Sequence, residues 1–231
     1  TLYELLDRFG THLSHSWEAV IHIVDCPFKF FEVSKNVSSQ KQLLKSAFEI
    51  LQLVLNDFLQ TIPLKIMIKI IDVLQKFCTQ EYELNISFSA ISYYWLISDY
   101  FRHLVPNEGG SELSFNNKEE LLQALNNTDK YTEVHSLWLY LLSSIVNISN
   151  DPRPEVRNGA MQTFFRIIDS HGSYLNWNKT YSIVVKELLN IEFDNKLIED
   201  PEIIASYKDS VSIILKGLTD LYCRFFIGSD E

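Results

Sequence analysis

The chain has few of the residues that interrupt helices, with seven glycines and six prolines among 231 residues. Glycine and proline mark turns and loops, so their scarcity favours long uninterrupted elements. Leucine, isoleucine and valine recur at three- and four-residue spacing over long stretches, which predicts helices. Because 46% of the residues are hydrophobic, intrinsic disorder is excluded. We therefore expect an all-α protein with a sizeable core.

Cysteine is also scarce, and its pattern excludes a disulfide framework. Cys26, Cys78 and Cys223 are odd in number and far apart, which suits free thiols in a reducing cytosol. The sequence opens without a signal peptide, and no window of about 18 apolar residues lacks a charge. The most apolar stretch, residues 50–74, is interrupted by Asp57 and two lysines. We expect neither secretion nor a transmembrane helix.

Basic residues are outnumbered, since 20 lysines and arginines face 30 acidic residues and the formal net charge is -10. Such a chain repels a phosphate backbone, so we expect no nucleic-acid partner without a local basic stripe. The lysines between residues 29 and 45 do not form one, because Glu32 and Glu49 dilute them. We therefore expect membrane contact to be indirect, through a recruiting partner.

One ten-residue segment occurs near both ends of the chain. Residues 1–10 align with residues 163–172, with identical Thr, Asp and Gly and with matching apolar positions except Phe9. The alignment continues beyond the glycine, pairing Trp17, Val20 and Ile21 with Tyr181, Val184 and Val185. A unit with loose identity and fixed apolar spacing is typical of helical repeat arrays. We predict an α-solenoid, an armadillo/HEAT-like superhelix of antiparallel helix pairs.

The domain organisation follows from this repeat. We predict that residues 1–231 form a single HEAT/armadillo-like segment, excised from a larger protein because the chain opens inside an apolar helical pattern with neither Met nor a cap. Residues 106–130 are rich in Asn, Glu, Gly and Ser, which predicts an inserted polar loop that is mobile and carries one short helical turn. Gly10 and Gly172 are predicted to end their helices as left-handed caps.

The most specific local pattern is Asp-Pro-Arg-Pro-Glu-Val-Arg at residues 151–157. An Asp in a turn, followed five and six residues later by Val-Arg, is typical of the start of the second helix of a HEAT repeat. We expect Asp151 to accept hydrogen bonds from the exposed N–H groups of that helix start. Val156 is expected to fill the core, and Arg157 to reach acidic turns of adjacent repeats.

Together with the first-turn proline and the repeated glycine, these residues make up the predicted structural signature of the repeat: Asp151, Pro154, Val156, Arg157 and Gly172. An alternative function for Arg153 and Arg157 is phosphate binding, although HEAT turns use such charges structurally.

Candidate catalytic and metal-binding groups are sparse. His15, Glu18 and His22 are spaced to share one helix face, but zinc requires three or four closely placed ligands and the nearest cysteine is a further turn away. Asp169, Ser170 and His171 resemble a catalytic triad in letters only, because adjacent helical residues do not face each other. We predict no catalytic residue, cofactor or metal, and therefore no enzyme.

Three segments resemble a known family: residues 83–100, residues 151–172, and residues 51–54 with 57–59. They are similar to the monensin-sensitivity protein two family of large cytosolic scaffolds, which are related to the BIG and GBF Arf guanine-nucleotide exchange factors. The resemblance covers most of the chain and falls in the helical repeats that follow the catalytic domain of the exchange factors. Residues 106–130 do not share it.

The resemblance implies a scaffold in endosome–Golgi vesicle transport, cytosolic and peripheral on Golgi and endosomal membranes. It implies a Dopey-family protein and a lipid flippase as partners, and a link to Arf-like GTPases. The first hypothesis is a non-catalytic segment that presents a protein-binding surface. The alternative is a regulatory docking region for an Arf-family GTPase or for another part of the parent chain. The sequence does not indicate which surface binds or whether the chain forms oligomers.

Overall fold

A computed structural model describes residues 1–13, 16–31, 37–105, 118–124, 130–189 and 201–225. Every regular element in these ranges is a helix, and the ranges contain no strand. The prediction of an all-α protein is therefore confirmed, whereas the solenoid arrangement stays a prediction. The chain divides into two compact units, Thr1–Tyr93 and Tyr94–Glu231.

The first unit contains four helices and the beginning of a fifth: α1 (Leu2–Phe9), α2 (Trp17–Phe31), α3 (Val37–Asp57), α4 (Met67–Thr79) and α5 (Leu84–Leu104). Helix α3 packs on α1 and on α2, and α2 also packs on α4. The predicted apolar stripes form the core, because residues at three- and four-residue spacing share one helix face. On α4 these are Ile70, Val73, Leu74 and Phe77, all buried.

The start of α1 corrects one expectation. Thr1 is the N-cap, and its hydroxyl accepts a hydrogen bond from the Glu4 backbone N–H at 3.3 Å. The Glu4 side chain reaches back to the cap residue and completes a capping box. Two main-chain donors, the Glu4 N–H and the Thr1 amino group, are thereby satisfied. The prediction that this helical pattern opens without a cap is wrong.

The second unit contains the remaining helices: α6 (Lys118–Ala124), α7 (Lys130–Ile148), α8 (Pro154–His171), α9 (Trp177–Thr180), α10 (Lys186–Leu189) and α11 (Pro201–Phe225). A π-helical turn, Tyr181–Val185, joins α9 to α10. Helix α8 packs on both α7 and α11. Its apolar stripe, which includes Val156, Phe164 and Ile167, is fully buried.

The predicted insertion at residues 106–130 is only partly described. Residues 106–117 and 125–129 lie outside the described ranges, and the short helix between them is α6. Helix α6 packs on α7 and buries Leu121 completely. Part of this stretch therefore contributes to the core, which a purely polar loop would not do.

Both repeated glycines differ from the prediction. Gly10 has φ -55° and Gly172 has φ -59°, which is right-handed helical backbone, and each is the first residue of a single 3₁₀ turn. The left-handed caps predicted at both positions are therefore wrong. What requires glycine is close approach: a Cβ on Gly10 would lie 2.5 Å from the ring of Phe58, and one on Gly172 would lie 2.5 Å from the ring of Phe225.

The two copies of the repeat therefore share local structure inside each unit. The residue before each glycine has nearly the same backbone, φ -127° and ψ 2° at Phe9 and φ -119° and ψ 0° at His171. A tryptophan then begins the next helix and packs on the aromatic ring that covers the glycine: Trp17 on Phe58 and Trp177 on Phe225. Trp177 is thus the counterpart of Trp17. The predicted counterpart, Tyr181, is exposed, so that pairing is wrong.

Candidate functional site

The turn before α8 is held by a bidentate ion pair within the turn itself. Asp151 is buried, and the Arg153 guanidinium donates to its two carboxylate oxygens at 2.8 Å each. The same carboxylate accepts the Arg153 backbone N–H at 3.0 Å. Arg153 is the N-cap residue of α8, so the carboxylate bonds the residue before the helix. The hydrogen bond expected between the helix start and Asp151 is thus made by the N-cap residue.

Arg157 is almost completely buried and is bonded on several sides. Its Nε donates to Ser210 Oγ of α11 at 2.8 Å, and its Nη1 donates to the carbonyl of Asp151 at 2.9 Å. The guanidinium also lies 4.2 Å from the ring centre of Tyr207. Arg157 thus joins its own turn to α11 through a hydroxyl and a carbonyl. That it reaches acidic turns of adjacent repeats stays a prediction.

Burial lowers the pKa of Arg157, against the opposing influence of Tyr207 and the carboxylates of Asp151 and Glu155. A buried guanidinium is tolerated when its N–H groups are satisfied. Because Arg153 and Arg157 are both engaged inside the protein, a bound phosphate would have to break these bonds. The observed contacts therefore favour the structural interpretation of the two arginines over phosphate binding.

The remaining residues of the predicted signature have packing positions. Pro154 is the first residue of α8, where its missing N–H leaves no helical bond unmade. Val156 is fully buried, and Gly172 lies under the ring of Phe225. That these residues mark a HEAT repeat stays a prediction.

A buried polar network surrounds His171, at the C-terminal end of α8. Its Nδ1 lies 2.9 Å from Ser98 Oγ of α5, and the Trp138 indole of α7 donates to the same oxygen at 2.8 Å. Its Nε2 lies 3.6 Å from an oxygen of Asp99. The Trp95 ring stacks on the imidazole at a centroid distance of 4.9 Å. Since Ser98 Oγ already accepts the indole N–H, the bonds are satisfied when its own O–H donates to Nδ1 and Nε2 carries the proton.

This network brings together Ser98, His171 and Asp99, whose residue types also form catalytic triads. Its contacts indicate a structural role and not a catalytic one. Ser98 is completely buried and its oxygen is committed to the indole, so no substrate carbonyl can approach it. Burial lowers the pKa of His171, and the nearby Asp99 carboxylate opposes this shift. The arrangement favours a neutral imidazole that joins α5, α7 and α8 through hydrogen bonds.

The consecutive residues Asp169, Ser170 and His171 do not form this network together. Asp169 lies on the surface and pairs with Arg224 of α11, while the partners of His171 come from α5 and α7. Sequence reasoning missed Ser98 and Trp138. No local pattern links these residues, because Ser98 lies 73 residues before His171 and meets it only through helix packing.

Two members of the set His15, Glu18 and His22 lie on α2, and each of them has other contacts. His15 lies outside the described residues, and Glu18 bonds Lys69 of α4. His22 is exposed, with its Nδ1 3.4 Å from Lys29 Nζ, and the Cys26 thiol donates to the His22 carbonyl at 3.3 Å. Within the described ranges, no three His, Cys, Asp or Glu side chains lie close enough together to hold a metal ion.

An open groove of about 600 Å³ runs between α2 and α4. Charged side chains line both walls, and they pair across it: Lys69 with Glu18, and Lys76 with Asp25 at 2.6 Å. The hydrogen bond from Lys69 lowers the pKa of Glu18. Asp72 adds a further carboxylate, and Ile21 and Val73 supply apolar floor. Exposed ion pairs of this kind contribute little to stability.

No helix in the described parts of the chain combines the length and the apolar character that crossing a bilayer requires.

This chain is similar to known proteins of one family. The family described as the C-terminal region of Mon2 protein matches residues 56–199. Protein MON2 of Saccharomyces cerevisiae is 33% identical over 98% of this chain, and the match covers 15% of that protein. Protein MON2 homolog of Drosophila melanogaster is 33% identical over 83% of this chain and is covered to 11%.

A more distant relative is Brefeldin A-inhibited guanine nucleotide-exchange protein 4 of Arabidopsis thaliana, 22% identical over 82% of this chain and covered to 12%. No solved structure matches the chain. The chain spans between 11% and 15% of the length of these three relatives. Because the family match covers residues 56–199, which is more than half of the 231 residues, the chain belongs to the Mon2 family.

Proposed function

We propose that this chain is a non-catalytic scaffold segment for endosome–Golgi vesicle trafficking, and that the groove between α2 and α4 is its protein-binding surface. The proposal is supported by where the polar side chains lie. Ser98 and His171, whose residue types occur in catalytic sites, are buried and bonded to one another. The exposed ion pairs of the groove are instead accessible to a partner.

The same proposal includes a solenoid of antiparallel helix pairs. It is supported by the repeat, since α1 with α3 and α8 with α11 place a glycine, a tryptophan and a covering phenylalanine in the same local arrangement. In a stack of this kind each repeat contacts its neighbours and the array presents an extended surface.

The partners proposed for this segment are a Dopey-family protein and, through it, a lipid flippase. The location proposed is the cytosolic surface of Golgi and endosomal membranes, where the recruiting partner supplies the membrane contact. The net charge of -10 supports indirect attachment, because an acidic chain is repelled by anionic lipid headgroups.

Affinity capture tests this proposal. The chain is immobilised and exposed, at physiological salt, to cytosol combined with detergent-solubilised Golgi and endosomal membranes. We expect recovery of a Dopey-family protein, detected by antibody, and loss of that recovery when Lys69→Glu and Lys76→Glu reverse one wall of the groove. The matched control reverses Lys41 and Lys45, which pair with Glu83 outside the groove. Capture that persists after the groove reversal would exclude the groove as the binding surface.

A second candidate function is docking of an Arf-family GTPase. The observation that favours it is the similarity to a plant guanine nucleotide-exchange protein. A pull-down with GTP-loaded and GDP-loaded Arf-like protein separates the two functions. An effector surface retains only the GTP form, whereas a scaffold for Dopey-family proteins binds its partner regardless of nucleotide.

A further inference from the structure

The final described helix, α11, exposes an apolar stripe. Leu215 is 60% exposed and Tyr222 is 59% exposed. Val211 and Leu218, which are half-buried, complete the spacing of 211, 215, 218 and 222. Residues at these intervals lie on one face of a helix. Because Ile214 and Leu221 are buried against the unit, α11 has a second apolar face in addition to the one that it packs inward.

The internal repeat shows what this second face does in the other copy. Phe58 directly follows the last residue of α3, Phe225 is the last residue of α11, and each ring covers the glycine of its own unit. Counting back from these rings gives the counterparts of the exposed stripe on α3: Leu44, Phe48, Leu51 and Leu55. All four are buried. Phe48 contacts Phe77 of α4 at a centroid distance of 5.1 Å and Tyr93 of α5 at 6.4 Å.

The opposite end of the repeat shows the reciprocal pattern. On α1, Leu5 is 49% exposed and Phe9 is 57% exposed, whereas their counterparts on α8, Ile167 and His171, are buried. The covering helix there is α7, whose Trp138 contacts His171 at 5.8 Å. Each copy therefore buries the face that the other copy exposes, which identifies both exposed faces as helix-packing faces.

We propose that the exposed stripe of α11 is covered by a further helix of the longer Mon2 polypeptide. This helix places an aromatic side chain on Leu215, as α4 places Phe77 on Phe48 in the first unit. The occupant is a segment of the same polypeptide because the yeast relative, which aligns with 98% of this chain, has 85% of its length outside the match. The inference rests on the repeat and does not depend on the trafficking role.

Site-specific thiol labelling tests this assignment. Cysteine replaces Leu215 in this chain and the aligned residue in the full-length Saccharomyces cerevisiae relative, and labelling rates are measured by mass spectrometry of the purified proteins. We expect labelling at this position to be at least tenfold slower in the full-length relative than in this chain. Circular dichroism confirms that each variant is folded.

The matched control is Lys216→Cys, one position along the same helix. Its counterpart Glu49 is exposed in the first unit, so this position should label equally fast in both proteins. Equal labelling at the Leu215 position would overturn the proposal. Protection that disappears on dilution would assign the face to a second copy of the chain, and protection that requires added phosphatidylcholine–phosphatidylserine vesicles would assign it to a membrane. Either result would also overturn it.

Discussion

Replacing Gly172 with alanine tests why a glycine stands at this point of the repeat. If the position needed left-handed backbone, alanine would destabilise the protein whatever surrounds it. The observed φ of -59° is accessible to alanine, so the destabilisation must come from the ring of Phe225, 2.5 Å from the added Cβ. Overpacking of this kind typically costs about 1–3 kcal/mol.

A double-mutant cycle with Phe225→Ala distinguishes a requirement for left-handed backbone from a steric clash with the Phe225 ring. Once the ring is removed, the nearest remaining neighbour of the added Cβ is Trp177 at 3.0 Å, and alanine reduces the conformational entropy of the unfolded chain. The destabilisation by Gly172→Ala should therefore become much smaller in the Phe225→Ala background. The coupling energy of the two substitutions should be about 1 kcal/mol or more, above the additivity expected of independent sites.

The assay is urea denaturation of the four proteins followed by circular dichroism, with free energies of unfolding compared at constant m-value. Gly10→Ala with Phe58→Ala provides the same cycle in the first unit and should behave alike. If Gly172→Ala destabilises equally with and without the Phe225 ring, the close-approach explanation is wrong.

Three further predictions concern buried side chains. Arg157→Met should lower the free energy of unfolding by about 2–4 kcal/mol, because Ser210 and the turn carbonyls lose a buried charged donor. Arg157→Lys should not restore this stability, since lysine lacks the planar guanidinium fork. Urea melts in which Arg157→Lys is as stable as the unsubstituted protein would contradict the explanation. Leu121→Ala should cost about 2–4 kcal/mol as a cavity substitution, and an unchanged melting midpoint would mean that α6 does not contribute to the core. The pKa of His171 is lowered in the folded protein, so the unfolded chain binds a proton more readily. The free energy of unfolding should therefore be retained above pH 6.5, the ordinary pKa of histidine, and fall as the pH drops below it. His171→Phe, which introduces the residue type found at Phe9, should weaken this pH dependence in melts at pH 5.5 and 7.5.

The repeat was accessible from the sequence because apolar spacing determines which helix faces are buried. The alignment of Leu6 with Ile168 joins two buried residues, and that of Gly10 with Gly172 joins two glycines under aromatic rings. The reason for the glycine was not accessible. The ring that covers Gly10 belongs to a residue at the far end of α3, and local propensity carries no information about such a distant contact.

The site shows the same limit. His171 bonds Ser98, 73 residues earlier, and Arg157 bonds Ser210, 53 residues later. Charge suggested acidic partners for Arg157, whereas the hydrogen bonds described for it go to a hydroxyl and to main-chain carbonyls. Sequence reasoning could identify these positions as structural, but only packing determines which hydroxyl each one meets.

The π-helical turn at Tyr181–Val185 affects how this segment is aligned with related sequences. A π-turn holds about one more residue than an α-turn, so it is where a helix absorbs a single-residue insertion while Ile183 and Leu188 stay buried. Beyond such a turn, an alignment that keeps constant helical register compares residues from different faces. We therefore expect an alignment of this segment with its Mon2 relatives to improve when a gap is allowed at this turn.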